Sequence, residues 1–210
     1  MNKNNNSRYI ASKILADWIE KNFFPEKELS NSLVLKNNRL VEGFYAGIAN
    51  TYAGSGYLDF HSNNLIVLSS RGVLGYTDNL DQITQIKQIK HNIDKFIGFN
   101  QFIKKGSLKD LYINNDKIFV SFTDEIKEDC WNTSLLVGNF NYQNIEFKKL
   151  FSTKECVYSL EKKEKNLDGE FSMVTSGGRI VNFDENHILL TVGDYRARHL
   201  SQNKESVNGK

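Results

Sequence analysis

Histidine is the side chain best suited to proton transfer near neutral pH, and the sequence holds four of them. His187 follows a polar turn at the head of an apolar run, and His199 follows Arg196 and Arg198 after Asp194. His199 lies in a loop that leaves the same side of the predicted sheet as Asp194, so it is a candidate general base. The alternative is an exposed loop histidine without a catalytic role.

Cys130 and Cys156 form a second candidate set, since two cysteines allow one intramolecular pairing. Cys130 follows the second predicted strand of a four-stranded unit and Cys156 follows the fourth, and alternate strands end on the same face of an up-and-down sheet. A disulfide is therefore allowed, and its loop of about 26 residues would stabilise the fold by about 3 kcal/mol. Two reduced thiols in a cytosolic protein are the alternative. No Cys-x-x-Cys motif or histidine pair predicts a metal site.

A recurring hairpin pattern predicts the elements that position these residues. After about residue 30, short β-branched and aromatic runs alternate with clusters of Asn, Asp, Gly and Ser. Three segments superimpose as strand, tight turn and strand, and they begin at Gly56, Ser107 and Gly178. Because Asn tolerates the left-handed backbone of tight turns, the predicted turns are Asn63-Asn64, Asn114-Asn115 and Glu185-Asn186.

Two further strand-like runs follow each of the first two hairpins. They are VLGYTDN and ITQIKQIK after the first, and NTSLLVGNFNY and IEFKKLFS after the second. Four antiparallel strands make one blade of a β-propeller, whereas a β-sandwich also has regularly spaced strands. The recurrence of one hairpin favours the propeller. The sequence predicts an all-β fold, with an incomplete β-propeller of about two and a half four-stranded blades over residues 31–210.

Residues 1–30 are predicted to form an amphipathic helix and a linker. Apolar side chains recur at helical spacing, Ser7 is a candidate N-cap, and Pro25 ends the pattern. The polar face mixes acidic and basic groups, which favours docking onto the protein's own core over a membrane surface.

The predicted propeller is not closed. Closed propellers typically have four to eight blades, so the pattern indicates a fragment of a longer protein. Open blade edges also favour self-association, and completion of the ring by a second chain is a further possibility.

The segment TSGGRIVNFDENHILLTVGDYRAR, Thr175 to Arg198, resembles the His-x-Gly-Gly-Arg-Leu motif, hairpin and Thr-Val-Gly-Asp ending of the glucose/sorbosone dehydrogenase family. SLKDLYINNDKIFVSFTD and NTSLLVGNFNYQNIEFKKLFS resemble that family's preceding blade. The resemblance covers about Leu33 to Lys210 and implies the N-terminal portion of a soluble six-bladed propeller. Such enzymes oxidise aldose sugars with pyrroloquinoline quinone (PQQ).

The resemblance implies roles for individual residues. The family's motif His takes a proton from the sugar hydroxyl while hydride passes to the quinone, and an Asp after the hairpin orients that His. Alignment on the Gly-Gly-Arg motif places Asp194 on this Asp and Thr175 at the His position. Threonine cannot accept a proton near neutral pH without a base of its own, so the family reaction is expected to be impaired. His199 is the candidate substitute base.

Two of these assignments have structural alternatives. Arg179 is a candidate cofactor contact, or else it pairs with an acidic neighbour inside the fold. Asp194 orients a base, or else it binds nearby backbone N–H groups in a turn.

PQQ and calcium are implied as cofactors by the resemblance alone. The family's later cofactor contacts fall in blades beyond the matched pattern, so the alternative is a chain that binds no cofactor of its own. Four nearby carboxylates lack EF-hand spacing and fit a solvated loop equally well, so no metal ligand is predicted. They are Asp124, Glu125, Glu128 and Asp129.

Charge and hydropathy limit the classes of binding partner and the cellular locations that the sequence predicts. Lys and Arg number 27 and Asp and Glu 25, for a formal net charge of +2, which argues against a nucleic-acid partner. No apolar run approaches the roughly 20 residues of a membrane-spanning helix. No signal peptide is visible, because charged residues interrupt the N-terminal apolar positions. The resemblance nevertheless implies the periplasm, and the cytoplasm stays open.

Three hypotheses for function follow. The first is a sugar dehydrogenase-like propeller with an aldose substrate and an impaired reaction. The second is a non-catalytic propeller that binds a glycan or a protein, since one fold hosts many functions. The third is a fragment without independent function.

Overall fold

A computed structural model describes residues 27–30, 33–35, 56–70, 72–78, 86–97, 108–153, 156–158 and 171–197. The predicted N-terminal amphipathic helix and His199 lie outside these residues. The chain divides into two compact units, Met1–Arg39 and Leu40–Lys210. The predicted domain boundary after residue 30 stays a prediction.

The described residues form β-structure almost throughout, which confirms the all-β prediction. The strands are β1 (Lys27–Ser30), β2 (Leu33–Leu35), β3 (Gly56–His61), β4 (Asn64–Ser69), β5 (Leu74–Thr77), β6 (Lys87–Gln88), β7 (Lys90–His91), β8 (Leu108–Asn114), β9 (Lys117–Lys127), β10 (Cys130–Asn139), β11 (Asn144–Ile145), β12 (Lys148–Ser152), β13 (Val157–Tyr158), β14 (Gly177–Asn182) and β15 (Ile188–Val192).

In the first unit, β1 and β2 form an antiparallel hairpin. In the second unit, one sheet has the strand order β3-β4-β5-β6, a second has the order β12-β10-β9-β8 with β13 also paired to β10, and β14 pairs with β15. All of these pairings are antiparallel.

Short 3₁₀ helices cover Ile93–Lys95 and Met173–Thr175.

All three predicted hairpins form, but the first two turns lie one residue away from the predicted positions. The residues between the paired strands are Ser62-Asn63 and Asn115-Asp116. In each turn the first residue takes the left-handed backbone, with φ of 55° at Ser62 and 51° at Asn115. The third hairpin has a longer loop, 183–187, that contains the predicted turn residues. The error arises because neighbouring polar residues suit a turn almost equally, whereas strand alternation fixes the register.

The segment predicted as one strand, ITQIKQIK, is divided between two sheets. β6 is the last strand of the first sheet. β7 pairs in parallel with β11, the strand that follows β10 in the sequence. Ile89 is fully buried between β6 and β7 and contributes to a core that both sheets share. The apolar members of this core include Ile66, Leu68, Leu74, Leu111, Ile118, Val120, Phe122, Leu136 and Phe147.

The first strands of the three hairpins lie side by side. β3 packs against β8, and β8 packs against β14. Asp59 Oδ2 accepts a hydrogen bond from the Ile113 N–H of β8 at 2.5 Å, and Asp110 Oδ2 accepts one from the Ile180 N–H of β14 at 2.8 Å. Asp59 and Asp110 lie on the first strands of their hairpins, β3 and β8. A carboxylate therefore links β3 to β8, and another links β8 to β14.

We expect Asp110→Ala to lower the free energy of unfolding by about 2 kcal/mol, because it leaves the buried Ile180 N–H without its acceptor. Urea unfolding at neutral pH measures this loss. Arg179→Met is the matched control: the Arg179 side chain is 73% exposed, so loss of its ion pair with Asp110 should cost under about 1 kcal/mol. Equal losses in the two variants would contradict the carboxylate-to-backbone link.

The predicted disulfide is confirmed. Cys130 and Cys156 are bonded, with their Cα atoms 5.1 Å apart. Cys130 is buried at the start of β10, and Cys156 immediately precedes β13, which pairs with the same end of β10. The bond therefore holds a two-residue strand against the second sheet. Disulfides are typical of oxidising compartments.

Candidate functional site

The sequence motif folds into a corner at one end of the third hairpin, which we call the motif corner and define as residues 173–179 and 193–197. The Gly193 N–H donates to the Ser176 carbonyl at 2.7 Å, and the Tyr195 N–H donates to the Thr175 carbonyl at 3.4 Å. The structure therefore places Thr175 and Asp194, two of the predicted site residues, on adjoining segments.

Two glycines allow this close approach. A methyl group at Gly193 would lie 1.9 Å from the Thr175 carbonyl oxygen, so no side chain fits there. Gly178 has a φ of 102°, and a methyl group on it would lie 2.3 Å from Lys109 Cβ. The spacing of the glycines in the motif therefore has a direct packing cause.

Thr175 ends the 3₁₀ helix and its side chain is exposed. Its Oγ1 donates to the Ser172 carbonyl at 3.1 Å, which leaves the oxygen lone pairs as acceptors. A threonine hydroxyl in this state can accept a hydrogen bond from a ligand, but it cannot take up a proton near neutral pH. Its assignment to the family's His position stays a prediction.

Asp194 belongs to a tight turn. Its Oδ1 accepts the Arg196 N–H at 2.9 Å, and its carbonyl accepts the Ala197 N–H at 2.6 Å. Tyr195 and Arg196 both adopt left-handed backbone, with φ of 54° and 68°. The Asp194 carboxylate thus binds a backbone N–H within its turn, which is the alternative to a base-orienting role that the sequence also predicted. His199 lies outside the described residues, so an orienting role toward it stays a prediction.

Arg179 pairs with a buried acid. Its Nη1 lies 3.3 Å from Asp110 Oδ1, and the Asp110 side chain is 4% exposed. Burial raises the pKa of Asp110, while the Ile180 N–H and the Arg179 charge act in the opposite direction. The guanidinium keeps other donors facing solvent, so a ligand contact by Arg179 stays a prediction beside its ion pair.

Lys109 is a member of the corner that sequence reasoning missed. It is half-buried on β8, and its Nζ donates to the Met173 carbonyl. Burial lowers the pKa of Lys109 to about 8. No local pattern could have revealed it, because Leu58, the aligned residue of the first hairpin, is exposed and Lys109 is covered by the distant Gly178.

Tyr195 anchors the corner to the second sheet. The Thr133 hydroxyl donates to the Ser176 carbonyl at 2.9 Å, so it accepts the Tyr195 Oη–H, also at 2.9 Å. The Tyr195 ring stacks on Phe171 with centroids 5.4 Å apart and an interplanar angle of 14°. Burial raises the pKa of Tyr195 to about 12. The corner is therefore held by a neutral phenol inside the protein.

Two tyrosines should resist ionisation in the folded protein. Tyr57 Oη donates to the Leu108 carbonyl at 2.5 Å, and burial raises its pKa to about 12, as it does for Tyr195. Because both folded pKa values exceed the unfolded value, their contribution to stability is complete below about pH 10 and is lost as pH rises toward 12. Tyrosinate absorbance with parallel circular dichroism measures both events. Tyr57→Phe and Tyr195→Phe should each remove one late-titrating group, and ionisation of every tyrosine near pH 10 in the folded state would contradict this.

Within the described ranges, no group of three or more His, Cys, Asp or Glu side chains is arranged to hold a metal ion. The same part of the chain contains no helix that is long and apolar enough to cross a membrane.

The chain matches no protein-family model and no curated protein. Solved structures are similar to it, among them the following two. One, a glucose dehydrogenase, has 14% identity and a TM-score of 0.49 over 74% of this chain and 45% of its own. The other, the crystal structure of a glucose dehydrogenase, has 14% identity and a TM-score of 0.51 over 74% of this chain and 42% of its own. The chain spans less than half the length of either, and at this identity the likeness shows the fold alone. Its fold is distantly similar to that of glucose dehydrogenase.

Proposed function

We propose that the chain is part of a sugar dehydrogenase-like β-propeller whose motif corner binds an aldose and whose dehydrogenase reaction is impaired. The observation that carries the architecture is the row of first strands, β3, β8 and β14, in which Asp59 links β3 to β8 and Asp110 links β8 to β14. Successive propeller blades place their innermost strands in this way. The fold likeness to a glucose dehydrogenase supports the same assignment.

The corner offers groups that suit a sugar. Thr175 provides an exposed hydroxyl oxygen, and Arg179 provides guanidinium donors that face solvent. Hydroxyl-rich ligands are recognised by a small number of such donors and acceptors. The Thr175 side chain supplies no base, which is why the reaction is proposed to be impaired.

The described residues do not fit PQQ. This cofactor carries three carboxylates, which call for several converging cations. At the corner, however, Lys109 Nζ binds the Met173 carbonyl and Arg179 pairs with Asp110. No reaction step through the quinone is therefore assigned to these residues. A periplasmic location is part of the proposal, supported by the disulfide.

The proposal predicts sugar binding without turnover. In isotope-edited NMR, D-glucose and other aldoses should shift the resonances of the motif corner. Thr175→Val, which removes one hydrogen-bonding oxygen at constant shape, should weaken this binding about 5-fold, or about 1 kcal/mol. Glu185→Gln is the matched control, because Glu185 is exposed in the loop at the far end of the hairpin and should leave affinity unchanged.

Two results would count against the proposal. Dye reduction by the chain with added PQQ, calcium and aldose should stay at background, and steady turnover would remove the claim of impairment. Absence of any aldose-induced shift would remove the claim of sugar binding. The second candidate, a non-catalytic module for a glycan or a protein, would then be favoured, because the Asp194 carboxylate is already engaged with the Arg196 N–H inside the fold.

A further inference from the structure

We propose that the Cys130–Cys156 disulfide is a redox switch that controls the order of the motif corner. The two states of the switch are the intact bond and the pair of thiols. The coupling between the bond and the corner is carried by packing and hydrogen bonds. Only the ligand whose binding is regulated, an aldose, rests on the proposed function.

The first link of the coupling runs from the disulfide to the start of β10. The two residues of β13 pair with Cys130 and Trp131. Among the described strands, β13 pairs with β10 alone. A pairing of two residues has little stability of its own. The bond from Cys156, which immediately precedes β13, therefore holds this strand beside Trp131.

The second link is a row of aromatic rings that runs from Trp131 to the motif corner. The Trp131 side chain is buried, and its ring centroid lies 5.8 Å from that of Phe171. Phe171 in turn stacks on Tyr195 of the corner, with centroids 5.4 Å apart. Rings at these separations are in contact, so a displacement of Trp131 changes the packing of the two rings that follow.

The third link is the backbone that follows Phe171. The Ser172 N–H donates to the Tyr195 carbonyl at 3.0 Å, and the Thr175 N–H donates to the Ser172 carbonyl at 3.3 Å. The Thr175 hydroxyl donates to the same carbonyl at 3.1 Å. The segment that carries Phe171 therefore also positions Thr175, whose hydroxyl oxygen is proposed to bind the sugar.

The corner has further anchors that do not involve the disulfide. The Thr133 hydroxyl binds the Ser176 carbonyl and the Tyr195 hydroxyl, both at 2.9 Å. The Ser121 hydroxyl of β9 donates to the Gly178 carbonyl. Because these contacts persist when the S–S bond is broken, reduction should loosen the corner without unfolding it. The apparent affinity of a site falls in proportion to the fraction of molecules in which the site is ordered.

The reductant is a dithiol. Cys130 is buried and Cys156 is half-buried, so Cys156 is the more accessible of the two cysteines. A thiolate of the dithiol attacks the Cys156 sulfur, the S–S bond breaks, and Cys130 leaves as a thiolate that takes up a proton. The second thiol of the dithiol then attacks the mixed disulfide, and Cys156 leaves as a thiolate that is protonated in turn. The protein disulfide gains two electrons, and the dithiol becomes a cyclic disulfide.

NMR of the isotope-labelled protein without ligand tests the coupling. Spectra and amide exchange are recorded for the oxidised protein and after reduction with dithiothreitol. We expect reduction to shift the resonances of Trp131, Ser172 and Thr175, and to speed amide exchange at Ser172 about 10-fold. The resonance of Ile66, in the first sheet, should stay in place. The Cys130→Ala/Cys156→Ala protein should match the reduced protein and should not respond to dithiothreitol.

Substitution of the central ring tests the route. In the Phe171→Leu protein, reduction should still shift Trp131 but should leave Ser172 and Thr175 unchanged. Phe140→Leu is the matched control, because Phe140 packs against His61 and Tyr142, and reduction should shift the corner as in the wild type. Wild-type shifts confined to β13 and Trp131, equal shifts across all strands, or global unfolding on reduction would overturn the switch.

Titration with D-glucose in both redox states separates the switch from the proposed function. We expect the reduced protein to bind about 5-fold more weakly than the oxidised protein. Corner shifts on reduction with no aldose-induced shift in either state would overturn the proposed function alone. Aldose-induced shifts with the same affinity in both states would overturn the switch alone.

Discussion

Gly193→Ala is expected to lower the free energy of unfolding by about 4 kcal/mol, the largest effect of any single substitution considered for this protein. The added methyl group would lie 1.9 Å from the Thr175 carbonyl and 2.7 Å from the Gly177 nitrogen. Both are backbone atoms, so relief requires the two segments of the motif corner to separate. Their separation breaks the hydrogen bond from the Gly193 N–H to the Ser176 carbonyl.

Urea unfolding measures this loss, and Gly138→Ala is the matched control. A methyl group at Gly138 would lie 2.6 Å from Ile145 Cγ2, a side-chain atom of the core, and not against backbone at 1.9 Å. The control should therefore lose about 2 kcal/mol. A Gly193→Ala protein as stable as the Gly138→Ala protein would show that the corner is not packed as described.

Removal of the disulfide should produce the second largest effect. The Cys130→Ala/Cys156→Ala double variant is expected to lose about 3 kcal/mol, because the cross-link restricts the unfolded chain over a sequence separation of 26. Loss of the bond also releases β13, whose two residues pair only with β10 among the described strands. Chemical denaturation of the oxidised protein and of the double variant provides the comparison.

Reduction of the wild-type protein is a second measurement of the same bond. The reduced protein should unfold at nearly the same denaturant concentration as the double variant, since both lack the cross-link. Coincident unfolding of the oxidised and reduced proteins would contradict a stabilising role. Amide exchange should also rise first in β13, because its short pairing provides little protection of its own.

The sequence was most informative where structure depends on neighbouring residues. Alternating apolar positions and polar turns correctly predicted the hairpins β3–β4, β8–β9 and β14–β15. Strand order similarly allowed the pairing of Cys130 with Cys156. Local pattern did not fix the turn positions, because adjacent polar residues compete for the left-handed backbone at nearly equal cost.

The remainder of the candidate site depends on contacts between segments that are distant in the chain. From the sequence, Asp110 is an ordinary polar residue of a strand; its role as an acceptor depends on the packing of β14 against β8. A lysine in such a strand is likewise expected to be exposed, and the Lys109 side chain is half-buried because Gly178 packs against it. The division of ITQIKQIK between β6 and β7 has the same origin, since β7 finds its partner strand only once the second sheet exists.

The carboxylate links between the hairpins have a direction along the chain. Asp59 binds a backbone N–H of the later strand β8, and Asp110 binds one of the later strand β14. During synthesis, each acceptor is therefore made before the strand whose N–H it binds. Because folding on the ribosome proceeds from the N-terminal side, each finished sheet presents a polar anchor onto which the next emerging strand can dock in register.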